Sequence, residues 1–340
     1  MAKVSRRSFV RSTAVGAGAI GLNLLPRLPA NAVTTTVGTV RELVQAVNNV
    51  PPGSVIHVRG GFYDVTGYEL RPTDRVSILG SGHQLGPDGY LRSVGTHIHT
   101  RGYTLLTRRS HGIRCENIWF SGTRLKYDRI RGWVAGTGCA VSGPLNATFR
   151  YCRFSDAQIA GLASFSGLVE RCEIFRCGGD YSKSGSWAAS AAMKSHRVTH
   201  ARYNYVHDCA RHGLWWDNGA EDFQCIGNKV QNVRLYGIIA EKVQRGVIRG
   251  NTVSNTGFQG LEIARSRYID VNNNGFFGNT KGALMARDSA GKMYQGWNCT
   301  GIEVSGNRFN NQPLKIEGSI AIPGDLRLAN NLGVTQLIRT

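Results

Sequence analysis

Residues 228–255 read NKVQNVRLYGIIAEKVQRGVIRGNTVSN, and the phrase that opens this stretch, NKVQN, returns at its end as NTVSN. The phrase consists of an Asn or Cys, an apolar residue two positions later and, in most copies, an Asn or Asp two positions after that. Its copies begin 20 to 33 positions apart, with a base period of 20–24 and two longer intervals. Seven copies begin at Cys152, Cys172, Asn204, Asn228, Asn251, Asn274 and Asn307.

A second phrase follows the same period, because a Gly lies nine positions after the first residue of four copies and an apolar residue follows each Gly. These are Gly161, Gly213, Gly237 and Gly260. The period is too short for a two-helix repeat, which needs more than about 30 residues, and the ladder of a leucine-rich repeat is missing. The pattern therefore predicts a solenoid of short β-strands, whose coils stack because one coil cannot bury its own apolar face.

Stacked coils place equivalent residues one above another at about 4.8 Å, the spacing of neighbouring strands. The Asn residues are then expected to form a ladder of amides in one turn, which Cys152 and Cys172 extend. Cys177 and Cys209 also occupy equivalent positions, and we expect neighbouring buried thiols there rather than a disulfide. None of the eight Cys residues forms a CxxC pair, so neither a zinc site nor a thioredoxin-like motif is indicated.

An amphipathic helix is predicted at the start of the solenoid. Residues 39–49, TVRELVQAVNN, space their apolar side chains helically, and Pro51-Pro52-Gly53 ends the pattern. We expect this helix to cap the open end of the solenoid and to protect its first strand edge. A strand is predicted at residues 55–58 and a turn at residues 60–63, GGFY.

The first 32 residues have the form of an export signal. Arg6 and Arg7 precede Phe9 and a weakly apolar stretch with several glycines, and residues 30–32, Ala-Asn-Ala, have the form of a cleavage site. The segment resembles a twin-arginine signal, which implies that the twin-arginine machinery exports the folded chain to the periplasm or beyond. The alternative is a disordered basic tail on a cytoplasmic protein. No apolar run reaches the roughly 18 residues that a membrane span needs.

The net charge favours an anionic partner. The chain carries +19, and five of its 41 Lys and Arg residues but none of its 22 acids lie in the first 32 residues, so the remainder carries +14. Nucleic acid, an anionic membrane surface and acidic polysaccharide are all attracted by such a charge. No nucleic-acid-binding motif is recognised. Export therefore favours an acidic polysaccharide as the partner, and we expect the protein to be a monomer.

The stretch VRELVQAVNNVPPGSVIHVRGGFYD at residues 40–64 resembles the N-terminal cap of the pectate-lyase-like superfamily, and the GNxVxN coils resemble its repeats. The resemblance covers residues 36–312. It implies an all-β domain at 33–340, a right-handed parallel β-helix with an N-terminal capping α-helix and its clearest repeats at 150–312. The superfamily includes polysaccharide lyases, glycoside hydrolases, epimerases, phage tailspikes and non-catalytic surface proteins, so the fold alone leaves the function open.

A row of acids is predicted on one face of the solenoid. The strand after each aligned Gly alternates inward and outward, which places Asp217, Glu241 and Glu262 outward beside the indole of Trp215. Asp217 and Glu241 share a repeat position and are expected roughly 5 Å apart, as in retaining glycosidases, whereas Glu241 and Glu262 are expected roughly 8 Å apart, nearer an inverting pair. Crowded carboxylates raise one pKa and create a general acid. The alternative is an outward row of charges that serves solubility.

A lyase mechanism would use different groups on the same face. β-Elimination at a uronate needs a base near C5 and cations or a metal that neutralise the carboxylate. The catalytic candidates are Lys194, Lys242 and Arg265. The substrate-binding candidates are Trp215, Arg211, His212 and Arg287. MKSHR at 193–197 resembles the Lys-Ser strand of chondroitinase-B-like and alginate lyases. The acidic metal-binding residues that precede it there are replaced by AASAA at 188–192, so Ca2+ is implied by analogy only, no ligand is identified and no cofactor is evident.

Two insertions in the repeat are predicted to frame this face. They are GGDYSKSGSW at 178–187 and DSAGKMYQGW at 288–297, and insertions in a solenoid usually map to loops on one side. Their aromatic residues, Tyr181, Trp187 and Tyr294, are substrate-binding candidates that would stack on sugar rings; a surface loop with no role is the alternative. The other indoles, including Trp119 and Trp216, are expected to be core or packing residues.

The sequence thus favours an exported carbohydrate-active enzyme that cleaves an acidic, uronate-containing polysaccharide by lyase or hydrolase chemistry. Two other functions stay open. One is a non-catalytic β-helix that binds polysaccharide or the cell envelope, and the other is an accessory protein for the assembly of a periplasmic metalloenzyme.

Overall fold

The computed structural model describes residues 31–100, 105–106, 110–122, 139–163, 165–178, 190–288, 298–318, 320 and 324–339. Almost all of the predicted export signal lies outside these residues, as do the aromatic residues of the two insertions. In the ranges given, no helix is long and apolar enough to cross a membrane.

Three parallel sheets, A, B and C, form the faces of a solenoid, and along most of the chain successive strands join them in that order. Within the described residues, sheet A has twelve strands. They are β1 (Thr34–Val37), β2 (Val55–Val58), β4 (Ser77–Leu79), β9 (Arg114–Glu116), β12 (Ala147–Arg150), β15 (Gly167–Glu170), β18 (Thr199–Arg202), β21 (Gln224–Ile226), β24 (Gln244–Arg249), β27 (Arg267–Asn272), β30 (Ile302–Ser305) and β32 (Leu326–Ala329).

Sheets B and C merge at the C-terminal end, where the long strand β31 (Arg308–Glu317) pairs with both sheets and with β33 (Leu332–Arg339). The other strands of sheet B are β3 (Gly61–Asp64), β7 (Thr96–Thr100), β10 (Ile118–Gly122), β13 (Arg153–Ser155), β16 (Glu173–Phe175), β19 (Tyr205–Cys209), β22 (Lys229–Val233), β25 (Thr252–Ser254) and β28 (Gly275–Phe277). Those of sheet C are β8 (Leu105–Leu106), β11 (Cys139–Ser142), β14 (Ala160–Ala163), β17 (Ala191–Ser195), β20 (His212–Asp217), β23 (Ile238–Glu241), β26 (Gln259–Ala264) and β29 (Gly282–Arg287).

One apolar core runs through the stacked coils, because the inward positions of neighbouring strands pair like with like. In sheet C, Leu214 pairs with Ile238, which pairs with Leu261 in the next coil. The Gly of the GNxVxN phrase turns the corner from sheet A to sheet B. Gly227 and Gly250 both have φ of 64°, the left-handed conformation that glycine adopts at little cost.

The predicted ladder is confirmed at this corner. The backbone N–H and the Nδ2 of Asn204 both donate to Oδ1 of Asn228 at 2.9 Å, and the pattern continues coil by coil to Asn307. Two cysteines extend it as expected, since the N–H of Cys152 donates to Sγ of Cys172 at 3.4 Å and the N–H of Cys172 donates to Oδ1 of Asn204. Buried amide groups thus find partners in the adjacent coil, which fixes the stacking register.

All eight cysteines are buried free thiols. Cys177 and Cys209 lie side by side at the corner between sheets B and C, as the repeat predicts. Burial, together with the adjacent Cys209, raises the pKa of the Cys177 thiol well above its usual value. Such thiols are poor nucleophiles, because the thiolate is the reactive form.

The predicted helix is present as α1 (Val40–Asn49). Thr39 is its N-cap and forms a capping box with Glu42. The N–H of Glu42 donates to Oγ1 of Thr39, and the carboxylate of Glu42 accepts from the N–H of Thr39. Leu43 and Val47 are buried in the same core as the first strands of sheet A, so the helix packs on the first coil.

The turn predicted at residues 60–63 is wrong, because Gly61–Asp64 form strand β3, which pairs with β7. The corner at Gly60 and Gly61 does need glycine, because Gly61 has φ of 146° and Gly60 is tightly packed. A Cβ on Gly60 would lie 2.8 Å from Oγ of Ser81 and 3.3 Å from the carbonyl oxygen of Gly95. The strand begins directly after this close approach, which places Phe62 on sheet B.

A hairpin of β5 (His83–Leu85) and β6 (Leu91–Val94) leaves the second coil and lies along the surface beside sheet B. Its tip reaches a coil far along the chain. Tyr90 Oη donates to the carbonyl oxygen of Gly227 at 3.1 Å, 137 positions away, and Asp88 lies 3.5 Å from Nζ of Lys229. The hairpin therefore spans several coils.

Candidate functional site

Sheet C carries two rows of outward-facing side chains that run along the solenoid through paired positions of successive strands. The first row runs through Lys194, Trp215, Ile239, Glu262 and Met285. The second row runs through Asp217, Glu241, Ala264 and Arg287. The predicted stacking of Asp217 on Glu241 is therefore confirmed, since the two residues pair directly between β20 and β23.

Each acid in these rows is ion-paired with a cation from an adjacent coil. The pairs are Lys194 with Asp217, Arg265 with Glu241 and Arg287 with Glu262, and we call these six residues the charged cluster. Nζ of Lys194 lies 2.9 Å from Oδ2 of Asp217. Since adjacent coils supply the two partners, the repeat itself brings these charges together.

The charged cluster is unusually buried for a surface feature. Asp217, Glu262, Lys194 and Arg265 are each only 3% to 7% exposed, and burial of ionised groups is costly even when they are paired. Burial raises the pKa of Glu262 from 4.5 to about 7, and the neighbouring Glu241 adds to this shift, while Arg287 opposes it. A carboxyl group with such a pKa holds its proton near neutral pH and can act as a general acid.

The pKa of Lys194 is shifted in the opposite direction to that of Glu262. Burial lowers the pKa of its ammonium group, and the carboxylate of Asp217 counteracts that effect. Nζ of Lys194 lies 3.5 Å from the centroid of the Trp215 ring, a cation–π contact. Trp215 lies in the outward row, as predicted, but its indole is covered rather than open to solvent. The indole is only 5% exposed, because Lys194, its paired residue in the previous coil, covers it.

Three buried polar atoms beside the cluster lack a hydrogen-bond partner in the part of the chain that the structure describes: Nδ1 of His212, Nε1 of Trp215 and Oε1 of Gln259. The rings of His212 and Tyr236 stack at 5.7 Å, and burial lowers the pKa of His212 to about 3, so its imidazole is neutral. Buried polar groups are normally satisfied, so unpaired atoms grouped at one place favour a bound polar molecule.

Sequence reasoning missed Tyr236 and Gln259, although a signal for them exists. His212, Tyr236 and Gln259 each directly precede an aligned Gly of the repeat, so they occupy equivalent positions in three successive coils. Burial raises the pKa of Tyr236 to about 12, with a contribution from Glu262, and the phenol therefore stays protonated.

The remaining candidates lie around the charged cluster. Lys242 lies in the turn after β23, where its Nζ donates to Oδ1 of Asn218 at 3.2 Å, outside the three ion pairs. Arg211 directly precedes β20 and helps to lower the pKa of His212. His196 follows β17 with Nδ1 3.9 Å from Oδ2 of Asp217. The candidates Tyr181, Trp187 and Tyr294 lie outside the described residues.

The charged cluster combines an acid that is protonated near neutral pH, further carboxylates and three cations, supplied by five successive coils. This set can protonate a leaving oxygen, accept a proton and neutralise an anionic group. In the described ranges, no three His, Cys, Asp or Glu residues are grouped so that they could hold a metal ion.

Comparisons with known proteins agree on the fold. A family model described as a right-handed β-helix region matches residues 212–325, which contain five of the six residues of the charged cluster. No curated protein matches the sequence at a significant level.

Among solved structures, the catalytic unit of an α-1,3-glucanase from Streptomyces thermodiastaticus is similar with a TM-score of 0.57 and 14% identity, over 92% of this chain and 65% of that one. An alginate lyase from Paenibacillus sp. gives a TM-score of 0.53 at 12% identity, over 91% of this chain and 98% of that one. The enzymatically active domain of tailspike protein 2 from bacteriophage CBA120 gives 0.51 at 14% identity, over 84% of this chain.

This chain spans less than half of the tailspike structures, 47% of that active domain and 42% of the full-length protein. At 12–14% identity these likenesses establish the fold alone. The predicted fold class is confirmed: the chain forms a right-handed parallel β-helix.

Proposed function

We propose that this protein, a right-handed parallel β-helix of the pectate-lyase-like type, is an exported enzyme that cleaves an acidic, uronate-containing polysaccharide on sheet C. The observation that carries the proposal is the charged cluster, six ionisable residues in adjacent coils with four of them almost fully buried. Charges buried at this cost on an outer face are retained more readily for binding and catalysis than for solubility.

Hydrolysis is the chemistry that the carboxylates favour. Glu262, with its pKa of about 7, would donate a proton to the glycosidic oxygen, and Glu241 would activate a water on the other side of the sugar. The two residues lie one coil and two positions apart, which corresponds to roughly 8 Å and to an inverting arrangement. Arg287, with a side chain 38% exposed, is placed to exchange Glu262 for the carboxylate of a uronate.

Elimination is the second candidate, and a separate observation supports it. Burial lowers the pKa of Lys194, which makes its amine a better base for the proton at C5 of a uronate. Arg265, held almost fully buried against Glu241, would then neutralise the uronate carboxylate. Both reactions would take place on the same face. Loss of activity on substitution of Glu262 favours hydrolysis, and loss on substitution of Lys194 favours elimination.

Three further features support an exported protein that acts on an anionic glycan. The sequence outside the first 32 residues carries +14, which attracts polyanions over a distance. All eight cysteines are free thiols, as expected for a chain that completes its folding in a reducing compartment before export. The unpartnered atoms of His212, Trp215 and Gln259 are suited to sugar hydroxyls next to the charged cluster.

A panel of polymers tests the proposal. The purified protein would be incubated with alginate, polygalacturonate, heparin and neutral glucans. New ultraviolet absorbance from unsaturated uronates marks elimination, and new reducing ends without that absorbance mark hydrolysis. Product from an acidic polymer supports the proposal. Tight binding to acidic polymers without any product would overturn it in favour of a non-catalytic binding protein.

Export is tested separately. Arg6→Lys with Arg7→Lys is expected to hold the chain in the cytoplasm, because the paired arginines are the feature of the segment that resembles a twin-arginine signal. Cell fractionation with detection of the protein checks this. Export that is unaffected by the double substitution would contradict the twin-arginine assignment and leave the catalytic proposal intact.

A further inference from the structure

The outer face of sheet B carries a column of planar side chains that is separate from the charged cluster. Most of these side chains stack face to face, while Phe62 at one end meets the ring of His97 at an interplanar angle of 74°. Neighbouring groups in the column lie 3.9 to 5.3 Å apart, measured between ring centroids or from a guanidinium carbon to a ring centroid. The column runs through Phe62, His97, Trp119, Arg153, Phe175, His207 and Tyr205.

The two ends of this column differ in how far their rings are exposed to solvent. At the Tyr205 end, the guanidinium of Arg92 from the hairpin lies 5.2 Å from the ring, and Tyr205 is only 9% exposed. At the other end Phe62 is 61% exposed, and a cleft of about 490 Å³ opens beside Phe62, His97 and Trp119. This volume lies within the range of roughly 300–1,000 Å³ that is usual for small-molecule sites.

Hydrogen-bonding side chains line the cleft next to its aromatic residues. Arg176 donates to both carboxylate oxygens of Asp156, from Nε at 2.8 Å and from Nη2 at 2.7 Å. Oγ of Ser121 lies 2.7 Å from Nε2 of His97 and 2.8 Å from Nδ1 of His99. Donors and acceptors thus lie side by side next to flat apolar surfaces.

The cleft is close to electrically neutral. The guanidinium of Arg176 is balanced by the carboxylate of Asp156. Burial, with His99 nearby, lowers the pKa of His97 to about 4, so that imidazole is uncharged at neutral pH. Among the described residues that line the cleft, cations are therefore not in excess over anions. A uronate or a sulfated sugar would need such an excess, in contrast to the polyanion preference proposed for sheet C.

We propose that this cleft is a second glycan-binding site, which takes an uncharged pyranose ring of a polysaccharide. The axial C–H groups of a pyranose form an apolar face that stacks on aromatic rings, here on the exposed ring of Phe62. Trp119 offers only its edge to the cleft, because His97 and Arg153 cover the two faces of its indole. Adjacent ring hydroxyls both donate and accept hydrogen bonds, which matches the paired carboxylate and guanidinium of Asp156 and Arg176. The site goes beyond the proposed function, because it lies on another sheet and requires no cleavage.

Affinity electrophoresis tests this site on the full chain without reference to catalysis. The protein would be run in native gels that contain dextran, laminarin, xylan, galactomannan or, in a separate arm, alginate. Phe62→Ala removes the exposed ring, and Arg176→Ala removes half of the ion pair with Asp156. Tyr268→Ala is the matched control, since Tyr268 is 60% exposed but belongs to sheet A.

We expect at least one neutral polysaccharide to retard the wild type and the control equally, and Phe62→Ala to weaken that binding about tenfold, with a smaller loss for Arg176→Ala. Alginate retardation should not change in either variant. The site is refuted if no neutral polymer retards the wild type, or if Phe62→Ala binds them as the wild type does. Because the readout is binding, an absence of cleavage on sheet C leaves this result unaffected.

Discussion

Sheets B and C are built from the same coils, yet their outer faces have opposite chemistry. On sheet C the outward positions carry the charged cluster, whose members are mostly buried by their own ion pairs. On sheet B they carry a column of rings that ends in an open cleft. The repeat fixes where equivalent side chains lie, whereas the residue type at each outward position decides what the face can bind.

The largest expected effect is a loss of catalytic rate when the charged cluster on sheet C is altered. Glu262→Gln removes the proposed general acid but keeps the side-chain volume, so we expect kcat on the acidic polymer to fall about 10²- to 10³-fold. Initial rates of product formation check this. Glu303→Gln, an exposed change on sheet A, is the control and should leave kcat within twofold of the wild type. Unchanged activity in Glu262→Gln would exclude this carboxyl group from the chemistry.

The next largest effect is a loss of stability when the Asn ladder, which supports both faces, is altered. Asn251→Ala removes an amide that donates to the carbonyl oxygen of Cys225 and to Asn274, and accepts two bonds from Asn228. The loss leaves several buried groups without partners, so we expect the free energy of unfolding to fall by about 4 kcal/mol. Urea unfolding followed by circular dichroism measures this. Asn49→Ala, exposed on α1, is the control, and equal losses in the two variants would show that the ladder has no special role.

The response of stability to pH should differ in sign between the two faces. The folded protein raises the pKa of Glu262 from 4.5 to about 7, so this group's contribution is complete below about pH 4.5 and is lost as the pH rises through about 7, roughly 3 kcal/mol in all. The folded protein lowers the pKa of His97 from 6.5 to about 4. Its contribution is present above about pH 6.5 and is lost as the pH falls through about 4.

Urea unfolding across the pH range, repeated on Glu262→Gln and on His97→Gln, separates the two contributions. Glu262→Gln should flatten the profile between about pH 4.5 and 7, and His97→Gln should flatten it between about pH 4 and 6.5. The two faces would prove electrostatically alike if both variants changed the profile in the same direction.

The smallest expected effect concerns the corner that joins the two faces. Cys177 and Cys209 are buried free thiols there, so a reductant should leave the Tm unchanged, and a thiol reagent should modify neither residue until the protein is denatured. Thermal melts with and without reductant, and mass spectrometry after labelling, measure both. A Tm that falls in reductant would reveal a disulfide between the two adjacent coils that carry Cys177 and Cys209.

The sequence predicts the regular part of the fold well, because the repeat assigns inward and outward positions directly. The pairing of Asp217 with Glu241 and the replacement of ladder amides by Cys152 and Cys172 both follow from the repeat. Before residue 150 the hairpin interrupts the repeat spacing. The sequence therefore does not show which residues of those strands face inward and which face outward. For that reason the sequence predicts a turn at Phe62, whereas this residue lies on the outer face of sheet B. Trp119, predicted as a core or packing residue, packs between His97 and Arg153 on the same face and lines the cleft.

The details of the candidate site depend on side-chain conformation, which the repeat does not determine. The repeat places Trp215 outward, but only the structure shows that Lys194 folds over its ring and covers it. Likewise the sequence gives Arg265 and Lys242 equivalent positions, yet Arg265 reaches a carboxylate while Lys242 bonds an Asn in the turn. Long cations have many rotamers, and the neighbouring coil decides which one is adopted.

The hairpin that ties Tyr90 to Gly227 changes how this solenoid should respond to mechanical force. A plain stack of coils peels apart from either end, since each coil holds only the next. Here a pull on the N-terminus would load a coil in the middle of the stack at the same time as the first one. The hairpin therefore connects two distant coils directly. Under force, the coils between them should unfold together in one large step rather than one at a time.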